Sequence, residues 1–460
     1  MKAMCPSRKQ PDVTATFEIV TPMFLGDADR DIDHHRSWMR ATSIKGAWRF
    51  WWRVVNWPGF ALKATDEQAA LAAMRRREAC LFGAPADKRG REGQSPIRFS
   101  ALTAPLDTYA SWRDTEEPAF SSGHWVGLRY AGYGLVVTAD EKKPTQQGRR
   151  LLRRGELLRR AFRAGQRVEV EIGFASRLVD DDRLELLAAL EWMGLVGGLG
   201  SRWRRGFGSI ALRKLECRAP NYRFTCGGTL EHYKEQLDRL LEAMPLGEDL
   251  PPITALSSAA RVDLVAGPER PTQMLDRAGR RLMLLRSFGY ERDGGREAFR
   301  GEKALQLFTS DRKIAQAEKP ARAGLPKRTV FGCPHGYVGY ERRVVPADAG
   351  DRRASPLLLH IHPLAGAEAR SVLVVTVLPA LFTPGNLLRW EAQRAGGWQP
   401  LGTRRFEPEW DVLHAFLNGR QRPSDSEGPR DLQPMAVGAG RVTLLGPATG
   451  REKSAPPSAV

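Results

Sequence analysis

The segment Gly197–Ser209, with the sequence GGLGSRWRRGFGS, constrains the fold of this chain more than any other segment. Five glycines fall within twelve residues, and glycine adopts positive φ readily and allows another backbone to approach closely. The pattern predicts a loop that follows a helix and opens a strand. A dinucleotide-binding loop has the reverse order, and a Walker loop ends in Gly-Lys-Ser/Thr. Neither kind of nucleotide loop is therefore present in this segment.

Hydrophobic periodicity predicts strands and helices in turn along the first 217 residues. The predicted elements are a strand at Thr14–Phe24, helices at Ser43–Asn56 and Glu67–Phe82, a strand at Arg167–Ser176, a helix at Asp180–Val196 and a strand at Ser209–Cys217. Ser43 is the expected N-cap of the first helix, and Pro58 with Gly59 is its expected end. This order is that of a split βαβ unit with an insertion and predicts an α+β fold.

A second set of elements begins near Arg261 and predicts a second domain. Strands are expected at Arg261–Ala266, Leu357–His362 and Val372–Leu378, and helices near 275–288, 298–317 and 409–418. A chain of 460 residues has room for two or three domains. The predicted units are an N-terminal domain at 13–220 with the glycine-rich loop, a helical connection at 221–255, a C-terminal domain at 256–420 and a tail rich in Pro, Gly and Ser at 421–460.

Charge and cysteine content narrow the function classes. The formal net charge is +18, which favours a polyanionic partner, with nucleic acid as the leading candidate. Five cysteines, an odd number scattered along the chain, argue against a disulfide framework and for the cytoplasm. No run of 18 apolar residues occurs, so no transmembrane helix and no membrane partner are expected.

The glycine-rich loop and one helix face carry the candidate RNA contacts. Arginines of the loop can contact phosphates, and Trp203 offers a stacking face. Lys45, Arg49 and Arg53 recur every four residues and form one basic stripe beside an apolar face of three tryptophans, which are expected in the core. Solvated arginines in a tight turn and a solvated helix face are the alternatives. The predicted RNA-binding residues are Lys45, Arg49, Arg53, Arg153, Arg154, Gly198, Gly200, Ser201, Arg202, Trp203, Arg204, Arg205, Gly206, Phe207 and Gly208.

A second arginine-rich segment lies at Arg149–Arg167, with eight arginines against one glutamate. It predicts either a hairpin or loop that grips RNA or a solvated basic helix. Arg153 and Arg154 represent it among the candidate RNA contacts.

Two clusters invite metal or catalytic hypotheses. The loop Asp27–His35 begins like an EF-hand, but Ile32 and Trp38 occupy the positions that need Gly and Glu, so that interpretation fails. A histidine of this loop could still assist RNA cleavage. His360 and His362 lie two apart in a strand and could hold zinc with Cys333 and His335, but no Cys-x-x-Cys motif supports this. No metal, no cofactor and no catalytic residue is predicted.

Several motifs together resemble one family. The pattern Gly198-Leu-Gly200, five residues, then Gly206-Phe-Gly208 is similar to the glycine-rich loop of RAMP proteins, the RNA-binding subunits of CRISPR effector complexes. Four further segments resemble the first RAMP subunit of the type III-B (Cmr) complex. They are FEIVTPMFLGDAD at Phe17–Asp29, SIKGAWRFWWR at Ser43–Arg53, TVFGCP at Thr329–Pro334 and RRASPLLLHIHPL at Arg352–Leu364.

The resemblance implies two ferredoxin-like (RRM-like) domains with insertions. It also implies a non-catalytic subunit of a ribonucleoprotein in antiviral defence. Such a subunit binds the 3′ region of guide RNA and helps to capture single-stranded target RNA, beside other Cmr-type RAMP subunits. The alternative is a metal-independent endoribonuclease that processes guide RNA on a similar fold, with His34 or His35 in the reaction.

Overall fold

A computed structural model gives the architecture of the chain. It describes residues 10–26, 39–85, 93–102, 105–111, 125–135, 137, 141–145, 148–152, 156–242, 244–292, 295–299, 302–337, 339–348, 350–365, 370–421 and 432–435. The predicted sites at Asp27–His35 and at Arg153 and Arg154, and most of the predicted tail, lie outside these residues.

The N-terminal half contains four helices and nine strands within its described residues. In chain order they are β1 Val13–Ile19, α1 Ala41–Lys63, α2 Glu67–Phe82, β2 Ile97–Leu102, β3 Thr108–Ser111, α3 Val126–Ala131, β4 Glu141–Thr145, β5 Gly148–Leu152, β6 Glu156–Phe162, β7 Arg167–Phe174, α4 Asp180–Val196, β8 Ile210–Cys217 and β9 Tyr222–Thr225.

The described residues after Thr225 add five helices, two 3-10 turns and ten strands. They are α5 Leu230–Glu242, β10 Arg261–Gly267, α6 Pro271–Arg286, β11 Tyr290–Arg292, β12 Gly295–Phe299, β13 Glu302–Lys303, α7 Thr309–Gln316, α8 Pro320–Ala323, a 3-10 turn at Lys327–Phe331, β14 His335–Tyr337, β15 Arg342–Pro346, β16 Leu357–Pro363, β17 Ser371–Val377, a 3-10 turn at Pro384–Asn386, β18 Leu387–Arg394, β19 Gly397–Arg405 and α9 Asp411–Asn418.

The N-terminal sheet has the strand order β2-β7-β1-β8-β9, and every neighbouring pair is antiparallel. Strand β1 is central and alternates strictly, so that Val13, Ala15, Phe17 and Ile19 are buried. Helix α1 packs on α4, and both contribute to the core of this sheet. Its principal elements therefore follow the order β-α-β-β-α-β, as the sequence predicts.

Helix α1 is longer than its sequence indicates. It runs past Pro58 to Lys63 and begins at Ala41 without a side-chain cap from Ser43, so both predicted ends are wrong. Proline has no N–H to donate to the carbonyl four residues earlier, which here belongs to Val54. The backbone N–H of Leu256 donates to this Val54 oxygen instead (N···O 3.0 Å). A long-range hydrogen bond thus satisfies the Val54 carbonyl oxygen, which Pro58 leaves without its usual donor.

The central sheet of the C-terminal half has the order β10-β17-β16 and is also antiparallel. All seven residues of β17 are buried. Val372 and Val374 face the core of the N-terminal sheet, whereas Leu373 and Val375 face α6 and a second core. The sheet is therefore a middle layer that is covered on both faces, which explains the unbroken apolar sequence of β17.

The mixture of helices and antiparallel sheets confirms the predicted α+β class. The helix expected at 298–317 is wrong over its first half. Strands β11, β12 and β13 form a small sheet here, in which Gly295 adopts a φ of 105° at the start of β12, and helix α7 begins only at Thr309. Pairing between strands overrides local helix propensity here. None of the described helices is long and apolar enough to cross a membrane.

Candidate nucleic-acid interface

The glycine-rich loop depends on its glycines for backbone shape. Gly200, Gly206 and Gly208 have φ values of 86°, 88° and 61°. A Cβ atom added to Gly208 would lie 2.0 Å from the Leu199 carbonyl oxygen, and one added to Gly200 would lie 2.5 Å from the Phe24 carbonyl oxygen. Both contacts are with backbone and cannot relax cheaply. The backbone therefore requires these glycines, as the sequence indicates.

The segment that follows β1 holds the loop in place. The Thr21 hydroxyl donates to the Gly206 carbonyl (O···O 2.6 Å) and accepts from the Ser209 N–H (N···O 2.9 Å). The Ser201 N–H donates to the Phe24 carbonyl (N···O 2.8 Å). Because these groups are largely buried, their hydrogen bonds fix the loop as one rigid turn.

The other side of the loop contacts β16 of the middle sheet. The Leu359 N–H donates to the Arg204 carbonyl (N···O 3.0 Å), and the Ile361 N–H donates to the Ser209 hydroxyl oxygen (N···O 3.1 Å). His360 Nδ1 lies 2.7 Å from the Gly197 carbonyl oxygen. The loop thus joins the two halves of the molecule, and its arginines lie where those halves meet.

A cleft of about 580 Å³ opens at this junction. Its floor includes Leu357 and Leu359, and its other walls come from the 3-10 turn near Phe331 and from the segment before β16. Within the described part of the chain, no aspartate or glutamate lines it. The arginines that line it are Arg202, Arg204, Arg205, Arg286, Arg352 and Arg353. Such a concentration of positive charge suits an anionic ligand.

The loop arginines are held by neutral carbonyl oxygens. Arg204 donates to the Ser355 carbonyl (N···O 2.6 Å), and Arg202 donates to the Tyr133 carbonyl (N···O 2.6 Å). Arg205 reaches the Tyr130 carbonyl oxygen at 3.4 Å. Carbonyl dipoles orient a guanidinium group but do not cancel its charge, so the cleft keeps its positive potential.

The electrostatics of the cleft agree with this description. Burial, followed by repulsion from Arg353, lowers the pKa of Arg204 to about 10. Burial, followed by repulsion from Arg286 and Arg202, lowers the pKa of Arg205 to about 10. Both side chains still carry a proton at neutral pH. A bound phosphate would relieve these repulsions from neighbouring arginines and would replace lost hydration with charge-assisted hydrogen bonds.

Not every predicted loop residue can contact RNA through its side chain. Phe207 is fully buried and packs edge-on against Phe24 (ring centroids 5.6 Å apart), which corrects its assignment as an RNA contact. Gly198, Gly206 and Gly208 are buried as well, so their part is to shape the backbone. Ser201, Arg202 and the other arginines of the loop remain at or near the surface.

The basic stripe of α1 is partly neutralised by a neighbouring helix. Arg49 and Arg53 both pair with Glu78 of α2, and the Arg53–Glu78 N···O distance is 3.2 Å. Glu78 is buried, with 4% of its surface exposed. Burial lowers the pKa of Lys45, with a smaller contribution from Arg49. Lys45 stays a candidate RNA contact, whereas the two arginines also have a structural partner. Trp48, Trp51 and Trp52 lie in the core, as predicted.

The histidine pair of β16 lies in the interior, against the N-terminal half. His362 Nδ1 is 3.4 Å from His360 Nε2, while His362 Nε2 is 3.3 Å from Cys226 Sγ. The two nitrogens of His362 face different neighbours, so the three side chains do not converge on one ion. Cys333 lines the arginine cleft instead. No group of three or more His, Cys, Asp or Glu that could bind a metal occurs among the described residues.

Sequence reasoning missed Arg286, Arg352 and Arg353 as members of the cleft. Arg352 and Arg353 stand about 150 residues from the loop and enter the cleft only because β16 pairs with it. The one available signal was the paired arginine at the start of the RRASPLLLHIHPL motif. The described part of the arginine-rich segment is extended: its first residues belong to β5, which pairs with β4, and the next strand, β6, pairs with β3. The catalytic hypothesis for His34 and His35 falls outside the described residues.

One known family model matches most of the N-terminal half. Residues 16–211, which include β1 and the glycine-rich loop, match the model of the RAMP superfamily. This match confirms the resemblance to RAMP proteins that the loop motif predicts.

Two solved structures illustrate what this chain is similar to. Cmr1 from Pyrococcus furiosus in its apo form shares 16% identity, with a TM-score of 0.46 over 81% of this chain and 89% of that chain. A chain of the type III-B Cmr-beta complex bound to cognate target RNA shares 10% identity, with a TM-score of 0.41 over 88% of this chain and 98% of that chain. No curated protein matches the sequence.

Proposed function

We propose that this chain is the RNA-binding RAMP subunit of a type III-B CRISPR effector ribonucleoprotein. It binds the 3′ region of guide RNA and helps to capture single-stranded target RNA for antiviral defence. Its other partners are further Cmr-type RAMP subunits in the cytoplasm. The RAMP match of residues 16–211 and the four Cmr-like sequence motifs support this proposal.

One observation carries the RNA-binding part of the proposal: the cleft of six arginines without a lining carboxylate in the described part of the chain. A folded protein usually pairs its buried charges. Arginines that are kept close together, and are held by carbonyls, lower the stability of the free protein. Such an arrangement is expected where a polyanion binds, since each phosphate can accept hydrogen bonds from the two parallel N–H groups of a guanidinium.

The fold proposal is that both halves are ferredoxin-like. In the N-terminal sheet, β2-β7-β1-β8 with α1 and α4 has the order of a split βαβ unit. In the C-terminal half, β10, α6, β16 and β17 supply the first part of the same order. The glycine-rich loop then lies between two related units, where one strand of RNA can contact both.

We further propose that the chain is a non-catalytic subunit. The loop and the described lining of the cleft offer cations and aromatic rings, which bind and orient RNA, and include no histidine, aspartate or glutamate for acid and base catalysis. Incubation of the purified protein with repeat RNA in EDTA tests this directly. Cleavage that disappears in a His34→Ala, His35→Ala variant would favour the endoribonuclease instead.

The decisive binding experiment compares two exposed arginines. Arg352 lines the cleft, whereas Arg405 is exposed on β19 and does not line it. Guide-length RNA affinity is measured as a function of salt for wild type, Arg352→Gln and Arg405→Gln. Arg352→Gln should bind more weakly and should reduce the salt slope by about 0.7 per lost contact. Arg405→Gln has the same change in net charge and should behave much more like wild type.

Equal losses in both variants would mean that net charge alone attracts RNA and that the cleft is not the site. Co-purification provides the second test. Guide-length RNA and other RAMP subunits should be recovered with the tagged chain from its own host, and recovery of the chain alone would contradict membership of a ribonucleoprotein.

A further inference from the structure

A second, smaller cavity lies beside the arginine cleft. Its volume is about 270 Å³, and it is bordered by the first turns of α1 and by the start of the glycine-rich loop at Gly198–Gly200. Pockets for drug-sized ligands typically measure roughly 300–1,000 Å³. This cavity therefore suits a single small ring. Trp203 and Arg204 line both this cavity and the cleft, so the two spaces adjoin across these two side chains.

The walls of the cavity are aromatic and cationic. The rings of Phe50 and Trp203 meet edge to face with centroids 5.4 Å apart. The Arg204 guanidinium lies 5.1 Å from the Phe50 ring centroid and 5.2 Å from that of Trp203. Aromatic faces and guanidinium planes are the groups on which proteins stack unpaired bases of single-stranded RNA.

Trp51 contributes a buried indole ring to the wall of the cavity. Trp51 lines the cavity and is 1% exposed, and its indole Nε1–H makes no hydrogen bond within the described part of the chain. Trp48 and Trp52, on the same helix, donate to the Leu186 carbonyl oxygen and to Glu185. The Trp51 nitrogen lies against Gly197, where an added Cβ atom would be 2.4 Å from it, and Gly197 does not line the cavity, so Trp51 contributes its ring to the cavity wall.

The cavity also explains a glycine inside helix α1. Gly46 lines it, and an added Cβ atom would meet nothing within 4 Å. Its φ is not positive, so neither backbone geometry nor packing requires glycine at this position. Glycine inside a helix is less stable than alanine. The absent side chain keeps the cavity open.

We propose that this cavity binds one unstacked nucleobase of the RNA whose phosphates lie in the arginine cleft. The inference rests on the proposed function and adds to it a binding site for one base. Arg204 and Trp203 separate a site for a base from a site for phosphates, so the loop places one nucleotide on both sides at once. Stacking supplies most of the binding, and every base has a π-face, so the pocket accepts more than one base.

The test fills the cavity without touching the cleft. Gly46→Leu places a side chain in the open space and improves helix propensity, so the protein should remain folded. Gly59→Leu is the matched control, because Gly59 also lies in α1 with nothing within 4 Å of an added Cβ and does not line the cavity. Stacking energies of one base correspond to a loss of roughly 5- to 150-fold in affinity. We expect that loss of guide-RNA affinity for Gly46→Leu and none for Gly59→Leu.

A second measurement shows whether the occupant is a base. Guide RNAs with one abasic nucleotide at successive positions are bound to wild type and to Gly46→Leu. One position should weaken binding to wild type but leave binding to Gly46→Leu unchanged, since the pocket is already closed. If Gly46→Leu weakens binding and no abasic position couples to it, the occupant is not a base and the proposal is wrong.

Two further outcomes separate this proposal from the function on which it rests. If wild type and Gly46→Leu bind RNA equally well and with the same salt dependence, RNA binding stands and the base pocket fails. The base pocket also fails if Gly46→Leu binds RNA normally but no longer assembles with other RAMP subunits, since a protein side chain then fills the cavity. If wild type itself does not bind RNA, the proposed function fails first.

Discussion

The arginines of helix α1 and those of the glycine-rich loop have opposite surroundings. On α1, Arg49 and Arg53 converge on the buried carboxylate of Glu78. In the loop, Arg204 and Arg205 donate to backbone carbonyls and lie among other arginines. Both regions look equally basic in the sequence. The stripe shares a buried carboxylate, whereas no carboxylate lines the cleft among the described residues, so the cleft is the better place for a polyanion.

The comparison shows that a net charge of +18 does not locate a binding surface. Many of the basic side chains form ion pairs with carboxylates of the same chain, as in the pairs Arg77–Glu185 and Arg328–Asp311. A binding surface requires cations that the fold has positioned but has not neutralised. The predictions below test that distinction, beginning with the largest effect.

Gly208→Ala should have the largest effect, because it damages the loop that positions the cleft arginines. Its Cβ atom would lie 2.0 Å from the Leu199 carbonyl oxygen at a φ of 61°. We expect a stability loss on the order of 3 kcal/mol by chemical denaturation, together with loss of RNA binding. Gly339→Ala is the control, since its φ is 86° but its Cβ has open space, and strain alone should cost about 1–2 kcal/mol. Equal losses would show that the close backbone contact does not matter.

Replacement of both Arg204 and Arg205 by Ala should affect binding and folding together. The exposed cations of a merely solvated loop would leave the melting temperature unchanged. Here the Ser355 carbonyl loses its donor, so a stability loss of about 1–3 kcal/mol should accompany weaker RNA binding and a shallower salt slope. The Lys, Lys variant keeps the charge and should retain the salt slope while losing stability. Wild-type affinity in the double Ala variant would remove the loop from the RNA site.

Acidification should destabilise the contact between the loop and β16. Burial lowers the pKa of His360 to about 4, whereas an unfolded histidine titrates near 6.5. The unfolded state therefore binds the proton first, and this stability is complete above pH of about 6.5 and is lost as the pH falls towards 4. The loss for His360 is up to about 3 kcal/mol. Urea unfolding between pH 7.5 and 4.5 should show this slope, and His360→Gln should flatten it. An identical slope in the variant would assign the titration to other groups.

The elements of the fold could be predicted where the pattern is local. Helices α2 and α4 have the predicted bounds, because each carries its own start and stop signals, such as the side chain of Asp66 that accepts from the Ala69 N–H. The continuation of α1 past Pro58 could not be predicted. It depends on a hydrogen bond from Leu256, about 200 residues later, which no local pattern reveals.

The candidate site also has a part that could be predicted from local sequence and a part that depends on distant contacts. The glycines and arginines of Gly197–Ser209 could be identified because composition concentrates them in one segment. The burial of Phe207 and the contribution of Arg352 could not be identified, because both follow from the contact between the loop and the middle sheet. The neutralisation of Arg49 and Arg53 likewise required the position of Glu78 on a different helix.

The smallest effects should come from single substitutions in the basic stripe of α1. Within this stripe, Lys45 and Arg53 should respond differently. Lys45 has no carboxylate partner among the described residues, whereas Arg53 shares Glu78 with Arg49. Lys45→Gln should therefore weaken RNA binding by about the equivalent of one phosphate contact, with a change of about 0.7 in the salt slope. Arg53→Gln should leave affinity nearly unchanged and lower stability by about 0.5 kcal/mol, because Arg49 still neutralises Glu78 and the Arg53 side chain is partly exposed to solvent. Affinity and urea unfolding are measured for both variants beside Arg352→Gln. A larger affinity loss for Arg53→Gln than for Arg352→Gln would reverse the comparison and would make the stripe, rather than the cleft, the principal RNA contact.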